Sequence, residues 1–311
     1  MAEGHTDGSD ISLSPSLSRK KPADLPWVYP GFLALTPEQS ALESARVVLI
    51  PVPYDSTTSY RGGARDGPAA IIAASGQMED FDPELDVDLA GLGIHTTPAL
   101  EPHMGGPGLM AQRVREAVSS CIAPGRTVGV LGGEHSLAAG SVQAHFEAFP
   151  SLSVLYLDAH ADLRSEYQGT PWGHASGARR VFDHCPVVLA GIRSLCVEER
   201  DFIRDNGIPV WRCPPEGGPL PAEEILDALG DDVYVSVDLD VFDPSVMPAV
   251  GTPEPGGLNW MQVTSLLRRV GESRRIVGFD VCELAPAEGP VACSYTAARL
   301  VAKLAVYSTL C

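Results

Sequence analysis

Positive charge is scarce in this chain. Its 311 residues include 22 Lys and Arg against 40 Asp and Glu, which gives a formal net charge of −18. Proteins that bind nucleic acids use basic patches to contact the phosphates, so this balance argues against a nucleic-acid partner. An acidic protein instead attracts cations, and a small cationic molecule suits it better.

Long apolar runs and paired cysteines are also missing. No apolar stretch reaches the length of about 18 residues that predicts a membrane-spanning helix, so we expect no membrane association. The seven cysteines include no CxxC pair, which argues against a disulfide framework and against a zinc ribbon. The N-terminal residues carry Glu3, Asp7 and Asp10 and no apolar segment typical of a secretory signal. We therefore expect free thiols and a cytoplasmic location.

Regular hydrophobic periodicity begins only after the N-terminal segment. Residues 1–25 are rich in Ser, Gly, Asp and Lys, and we predict a flexible tail there. Over residues 26–311, strands rich in Val, Ile and Leu alternate with helices, and neither a repeat nor a change of composition marks a second domain. This alternation is typical of parallel βαβ units covered on both faces. The sequence thus predicts a single α/β domain with a mostly parallel sheet.

The predicted elements can be placed along that domain. We predict strands at 45–50, 127–131, 152–157, 187–190, 210–212, 233–237 and 276–279. We predict helices near 69–75, 110–122, 137–149, 197–205, 222–229, 259–271 and 294–307.

The densest polar motif follows the predicted strand at 152–157. Asp158, His160 and Asp162 come directly after that apolar run, two residues apart. Side chains two residues apart share one face of a strand, so continued strand geometry would align the three. Ionisable groups at the mouth of a buried strand are costly to desolvate, and a bound cation offsets that cost. The motif therefore indicates a metal site.

Polar residues also follow three other predicted strands. His135 comes after the strand at 127–131, Asp238 and Asp240 after the strand at 233–237, and Glu283 after the strand at 276–279. Binding sites of open parallel sheets lie beyond the carboxyl ends of the strands, so we expect these residues to share one site.

One zinc ion needs three or four ligands, and the candidates here are six. Six ligands fit two metal ions. Most of the ligand atoms are oxygens and the rest are imidazole nitrogens, which favours Mn²⁺. Two such ions would lower the pKa of a shared water molecule, as hydrolases require. The six candidates are His135, Asp158, His160, Asp162, Asp238 and Asp240.

Three motifs in this order resemble the signatures of the ureohydrolase (arginase–agmatinase) family. They are the segments 132–136, 158–162 and 236–244, and the similarity extends from about residue 45 to the C-terminus. The resemblance implies a three-layer α/β/α sandwich of the arginase type and two Mn²⁺ ions per subunit, held by the six residues above. It also implies hydrolysis of a guanidino group to urea and an amine, and a homo-oligomer that is a trimer or a hexamer.

The resemblance also assigns roles to individual residues. His174 matches the histidine proposed to carry a proton to the leaving amine, and Glu283 matches the acid that binds the guanidinium. Carboxylates suit this second role because they accept paired N–H groups in a bidentate geometry. Asp162 would accept a hydrogen bond from the attacking hydroxide. Glu134 and Asp243 are expected to orient the metal ligands through hydrogen bonds.

The segment between Asp162 and His174 favours the agmatinase branch of the family. It is short and lacks the Ser/Thr/Asn-rich insertion with which arginases recognise an α-amino acid. We therefore predict that agmatine, a dication, is cleaved to putrescine and urea. Guanidinobutyrate, guanidinopropionate, arginine and formiminoglutamate remain alternatives. A substrate with a carboxylate tail would need a basic partner such as Arg61 or Arg65.

Functions of other classes fit the sequence less well. A phosphotransferase with Asp238 and Asp240 as its nucleophile motif would need Thr or Ser where Phe242 stands. A deacetylase-like enzyme with a single zinc ion would use fewer ligands, and metal stoichiometry would identify it. A non-catalytic relative usually loses ligands, whereas all six are present here.

Overall fold

A computed structural model describes Met1, Leu25 and residues 27–214 and 217–311. The predicted flexible tail at 1–25 falls, apart from its two end residues, outside the described residues. The strands are β1 (Val47–Val52), β2 (Phe81–Asp82), β3 (Val87–Asp88), β4 (Ile94–Thr96), β5 (Thr127–Gly132), β6 (Ser153–Leu157), β7 (Val187–Ile192), β8 (Val210–Arg212), β9 (Asp232–Asp238) and β10 (Arg275–Cys282). The helices are α1 (Gly67–Ser75), α2 (Pro107–Cys121), α3 (Ala138–Ala148), α4 (Gly177–Phe182), α5 (Val197–Asn206), α6 (Ala222–Asp227), α7 (Trp260–Ser273) and α8 (Ala292–Tyr307).

Eight of these strands form one sheet in the order β4-β1-β5-β10-β9-β6-β7-β8. All its strand pairs are parallel. Strands β1, β5, β6, β7 and β9 are buried along their whole length, as expected when helices cover both faces of a parallel sheet. Strands β2 and β3 form a separate antiparallel hairpin.

Helices pack on both faces of this sheet. Val47 and Leu49 of β1 pack in one hydrophobic cluster with residues of α1, α7 and α8, whereas Val48 and Ile50 pack in another with residues of α2. Successive residues of a strand point to opposite faces, so the two clusters lie on opposite sides of the sheet. A third cluster joins β6 and β7 to α3 and α4. The predicted three-layer α/β/α sandwich is confirmed.

The strands that precede the predicted site residues are neighbours in the sheet. Strands β5, β10, β9 and β6 are consecutive in the strand order, although they are far apart in the chain. Their carboxyl ends therefore open onto one stretch of the sheet edge, where binding sites of parallel sheets lie. No helix in the described ranges is long and apolar enough to cross a membrane.

One expectation about the ligand motif is wrong. Strand β6 ends at Leu157, so Asp158, His160 and Asp162 lie in the following loop and do not continue the strand. Asp162 has a φ of 50°, in the left-handed region that residues other than glycine rarely adopt. The loop, and not strand periodicity, directs these side chains to the site.

Candidate active site

His135 lies among three carboxylates in the buried interior of the site. Its Nδ1 atom is 3.1 Å from Oδ2 of Asp158, 3.3 Å from Oδ2 of Asp238 and 3.7 Å from Oδ2 of Asp162. These residues come from the loops after β5 and β6 and from the end of β9. Strand order thus brings together residues more than a hundred positions apart.

His160 forms a second group beside the first. Its Nδ1 atom is 2.9 Å from Oδ2 of Asp240 and 3.6 Å from Oδ1 of Asp158. Asp158 therefore directs one oxygen towards His135 and the other towards His160. Potential ligand atoms of His135, Asp158 and Asp162 lie within 4.8 Å of one another, as do those of Asp158, His160 and Asp240. Two candidate metal positions that share Asp158 result.

The site concentrates negative charge away from solvent. Burial, followed by the charge of Asp158, raises the pKa of Asp162 and of Asp240. Burial and the charge of Asp240 likewise raise the pKa of Asp238. These carboxylates repel one another because little water screens them. Divalent cations would offset this repulsion, and carboxylate and imidazole are suitable ligands, so the residues fit a metal centre.

The pKa values of the two histidines are also raised, against the effect of burial. Burial alone would lower the pKa of His160, but hydrogen bonds with Asp158 and Asp240 outweigh it and raise this pKa to about 12. Burial also opposes protonation of His135, whose pKa is nevertheless raised well above its usual value by hydrogen bonds with Asp158, Asp238 and Asp280. The carboxylates thus attract positive charge strongly, whether it is a proton or a metal ion.

Sequence reasoning missed the residues that hold His135. Its Nε2 atom is 2.8 Å from Oγ of Ser236, which in turn donates to Asp280 at 2.9 Å. Tyr156 stacks on the imidazole with a centroid distance of 4.4 Å and donates its hydroxyl proton to Asp162 at 3.1 Å. Ser236 and Asp280 interrupt the apolar runs of β9 and β10, and this polar interruption was the available signal.

Glu283 lies where a substrate group could reach it. It follows β10 with a φ of 69°, and its Oε1 atom accepts a hydrogen bond from the backbone N–H of His135 at 2.7 Å. Burial and the nearby charges of Asp238 and Glu134 raise its pKa well above the usual value. A cationic guanidinium would relieve this repulsion.

A cavity of about 250 Å³ opens above these groups. His160, Asp162, Asp238, Asp240, His174, Glu283 and Arg61 are among its lining residues. His135 and Asp158 are fully buried. Seven of the sequence-predicted site residues thus line one cavity, and the other two, His135 and Asp158, contact residues of its lining.

Of the remaining lining residues, His174 is half-buried and Arg61 is exposed. Burial lowers the pKa of His174, and the charge of His160 lowers it further. Arg61 forms an ion pair with Glu288. Arg65, the other candidate for an anionic tail, forms an ion pair with the buried carboxylate of Asp55.

Glu134 and Asp243 differ from their expected roles. Glu134 accepts hydrogen bonds from Thr57 and Ser136, and Asp243 accepts them from backbone N–H groups at 245, 256 and 257. Both carboxylates therefore hold loops around the site, and the expectation that they orient the metal ligands through hydrogen bonds is wrong. Loop contacts of this kind depend on tertiary packing and leave no motif in the sequence.

Comparison with known proteins identifies the family to which the chain belongs. A model described as Arginase family matches residues 45–307. The chain belongs to the arginase family. N(1)-aminopropylagmatine ureohydrolase from Thermus thermophilus is 43% identical to it over 264 residues, covering 83% of this chain and 89% of the relative. Agmatinase from Bacillus subtilis (strain 168) is 32% identical over 260 residues, covering 82% and 88% respectively.

A solved structure agrees with these relatives. The crystal structure of agmatine ureohydrolase of Thermoplasma volcanium matches with a TM-score of 0.80 and 28% identity, covering 92% of this chain and 96% of that one. These comparisons confirm the predicted family and its agmatinase-like branch. They also confirm that the chain is a ureohydrolase.

Proposed function

We propose that this arginase-family chain hydrolyses a cationic guanidino compound of the agmatine type to urea and an amine. The observation that carries the proposal is the convergence of two carboxylate–imidazole groups with Glu283 and His174 around one cavity. The relatives named agmatinase and N(1)-aminopropylagmatine ureohydrolase support it.

The metal centre would contain two Mn²⁺ ions. Its proposed ligands are His135, Asp158, His160, Asp162, Asp238 and Asp240. When bound, such ions supply a Lewis-acid charge that lowers the pKa of a water molecule and polarises the substrate. Asp158 is the proposed shared ligand, because its two oxygens face His135 and His160 respectively.

Three residues of the chain would act on the substrate. Glu283 would accept guanidinium N–H groups and hold the central carbon near the attacking water. Asp162 would accept a hydrogen bond from that water. His174 would carry a proton to the departing amine nitrogen. The C–N bond breaks, the water oxygen becomes the urea oxygen, and both water protons finish on the amine.

The tail of the substrate is proposed to be cationic. Arg61, which we proposed as a substrate-binding residue for a carboxylate tail, lines the cavity with its charge already paired to Glu288, and Arg65 is paired with Asp55. Both arginines therefore already have a carboxylate partner. Agmatine remains the first candidate substrate.

N(1)-aminopropylagmatine is a second candidate, favoured by the identities of the relatives. Four relatives named for that substrate are 38% to 43% identical to this chain. Four relatives named agmatinase are 30% to 33% identical. Both compounds carry a guanidinium and a cationic tail, so the same groups would bind them.

We also propose a homo-oligomer, a trimer or a hexamer, located in the cytoplasm. The resemblance to ureohydrolases supports the oligomer. The described cysteines are all free thiols, which is consistent with a reducing compartment.

Urea release from a panel of guanidino compounds tests the proposal. Metal-free protein would be supplied with Mn²⁺, Ni²⁺ or Zn²⁺ and offered agmatine, N(1)-aminopropylagmatine, arginine, guanidinobutyrate and guanidinopropionate. We expect the highest kcat/KM with Mn²⁺ and one of the two compounds that have a cationic tail. Formiminoglutamate, which yields no urea, would be assayed by its own loss. Failure of every guanidino compound to release urea would overturn the proposal.

A further inference from the structure

His174 is held by a chain of hydrogen bonds that begins at Glu134. Oε1 of Glu134 accepts the hydroxyl proton of Thr57 at 2.8 Å, and Oε2 accepts the backbone N–H of Thr57 at 2.6 Å. The hydroxyl oxygen of Thr57 accepts the backbone N–H of His174 at 3.0 Å and lies 3.3 Å from its Nδ1 atom. A buried carboxylate thus reaches the imidazole through a single hydroxyl group.

The hydroxyl group of Thr57 has a single proton, and its direction decides which imidazole nitrogen of His174 is protonated. A threonine hydroxyl has one proton to donate and two lone pairs to accept with. The proton of Thr57 is donated to Glu134, and one lone pair accepts the backbone N–H of His174. Only a lone pair remains for Nδ1, so Nδ1 must be the donor and must carry a proton.

The other side of the imidazole faces the cavity. Oγ of Ser59 is 3.3 Å from Nε2, and both Ser59 and His174 line the cavity. Ser59 can donate or accept, so it imposes no choice of tautomer. The ring of Tyr167 packs against His174 at 6.0 Å and 85°, which restricts rotation of the imidazole.

We propose that Glu134 and Thr57 are positioning residues that fix neutral His174 in its Nδ1-protonated tautomer, with the lone pair of Nε2 directed into the cavity. The inference deepens the proposed function, because it rests on His174 as the proton carrier. In that tautomer, Nε2 must first accept a proton that originates from the attacking water and then release it to the amine nitrogen. The imidazole finishes in the state in which it began.

Glu134→Gln gives the sharpest test. The backbone N–H of Thr57 can only donate, so the Gln oxygen should take the position of Oε2 and its NH₂ group the position of Oε1. That NH₂ group would donate to Thr57, whose hydroxyl proton would then turn towards Nδ1 of His174. The substitution is close to isosteric, and we expect it to switch His174 to the Nε2-protonated tautomer.

The measurement is ¹H–¹⁵N correlation NMR of histidine-labelled protein that is loaded with diamagnetic Mg²⁺, at a pH where His174 is neutral. The His174 signals are assigned by their loss in His174→Ala. We expect a protonated Nδ1 and an unprotonated Nε2 in the native chain and in Thr57→Ser. We expect the reverse pattern in Glu134→Gln and a loss of the Nδ1 preference in Thr57→Val.

Kinetics supply a second readout. Thr57→Val should lower kcat on the order of 10-fold, a part of what general acid–base catalysis typically contributes, while KM stays within about twofold. Thr57→Ser should restore kcat, because it keeps the hydroxyl group. Ser59→Ala is the matched control for the NMR pattern and should leave the tautomer unchanged.

Two results would overturn the inference: a native His174 protonated on Nε2, or a tautomer that stays unchanged in Glu134→Gln and in Thr57→Val, whether or not Ser59→Ala changes it. The NMR readout needs no substrate. A chain that shows the expected tautomers but releases no urea would therefore contradict the proposed function and not this assignment.

Discussion

Asp158 shows how much the chemistry of a single residue depends on its surroundings. It is fully buried, which on its own would raise its pKa. Hydrogen bonds with His135 and His160 outweigh that effect and hold the pKa of Asp158 below its ordinary value. A carboxylate that stays ionised inside the protein is a strong candidate metal ligand.

Substitutions at Asp240 and His174 should separate metal binding from proton transfer. Asp240→Asn should lose metal and activity together, because it removes a charged oxygen beside His160. His174→Ala should keep its metal and lose about 10²- to 10⁴-fold in kcat, the usual contribution of a general acid–base group. Metal content per chain and urea release on the same samples check both expectations. Normal turnover in His174→Ala would remove its role as the proton carrier.

The sequence predicts the residue types of the site better than their partners. His135 and Asp238 could be recognised because each follows an apolar strand. The role of Thr57 could not, because Thr57 contacts His174, a partner that only the folded chain brings near. Ser236 interrupts an apolar strand, which is a signal, but the sequence does not show that its partner is His135.

At the scale of elements, the sequence predicts the longer strands and most of the helices, together with the short elements β8 and α6, but it misses other short elements. Every predicted strand overlaps an observed one. Most of these strands are buried on both faces, which leaves a continuous apolar run, whereas β8 is partly exposed. Strand β4 and the hairpin of β2 and β3 have only two or three residues per strand, too few for a periodic signal. The order β5-β10-β9-β6 was also beyond prediction, because it is set by how the helices pack and not by local propensity.

Helix α5 should stabilise the loop that carries Asp158 and Asp162. Glu199, in its first turn, is buried and accepts hydrogen bonds from the backbone N–H groups of Leu163 at 3.0 Å and Cys196 at 2.7 Å. Glu199→Ala would leave both donors without this partner, at a cost of roughly 1–3 kcal/mol for each donor that stays buried. Denaturant unfolding should therefore show a lower free energy of unfolding.

The adjacent Glu198 provides the matched control for that substitution. It lies in the same turn but is exposed, and it accepts one hydrogen bond from the backbone N–H of Ser165 at 3.2 Å. Glu198→Ala should change the free energy of unfolding by about 0.5 kcal/mol or less. Equal losses in the two variants would show that Glu199 does not hold the loop.

At the scale of the whole molecule, one architecture accounts for the site. A parallel sheet covered on both faces places all its carboxyl strand ends on one edge, and the strands that precede the site residues are its central neighbours. The family match over residues 45–307 covers all of these strands. The net charge of −18 adds an attraction for cations that suits both metal ions and a cationic substrate.

The central claim is that these residues form a binuclear metal centre. Its most direct test is a calorimetric titration of the metal-free chain with Mn²⁺. Two carboxylate–imidazole groups that share Asp158 should bind two Mn²⁺ ions per chain. Binding of a single ion, or of none, would contradict a binuclear centre built from these residues.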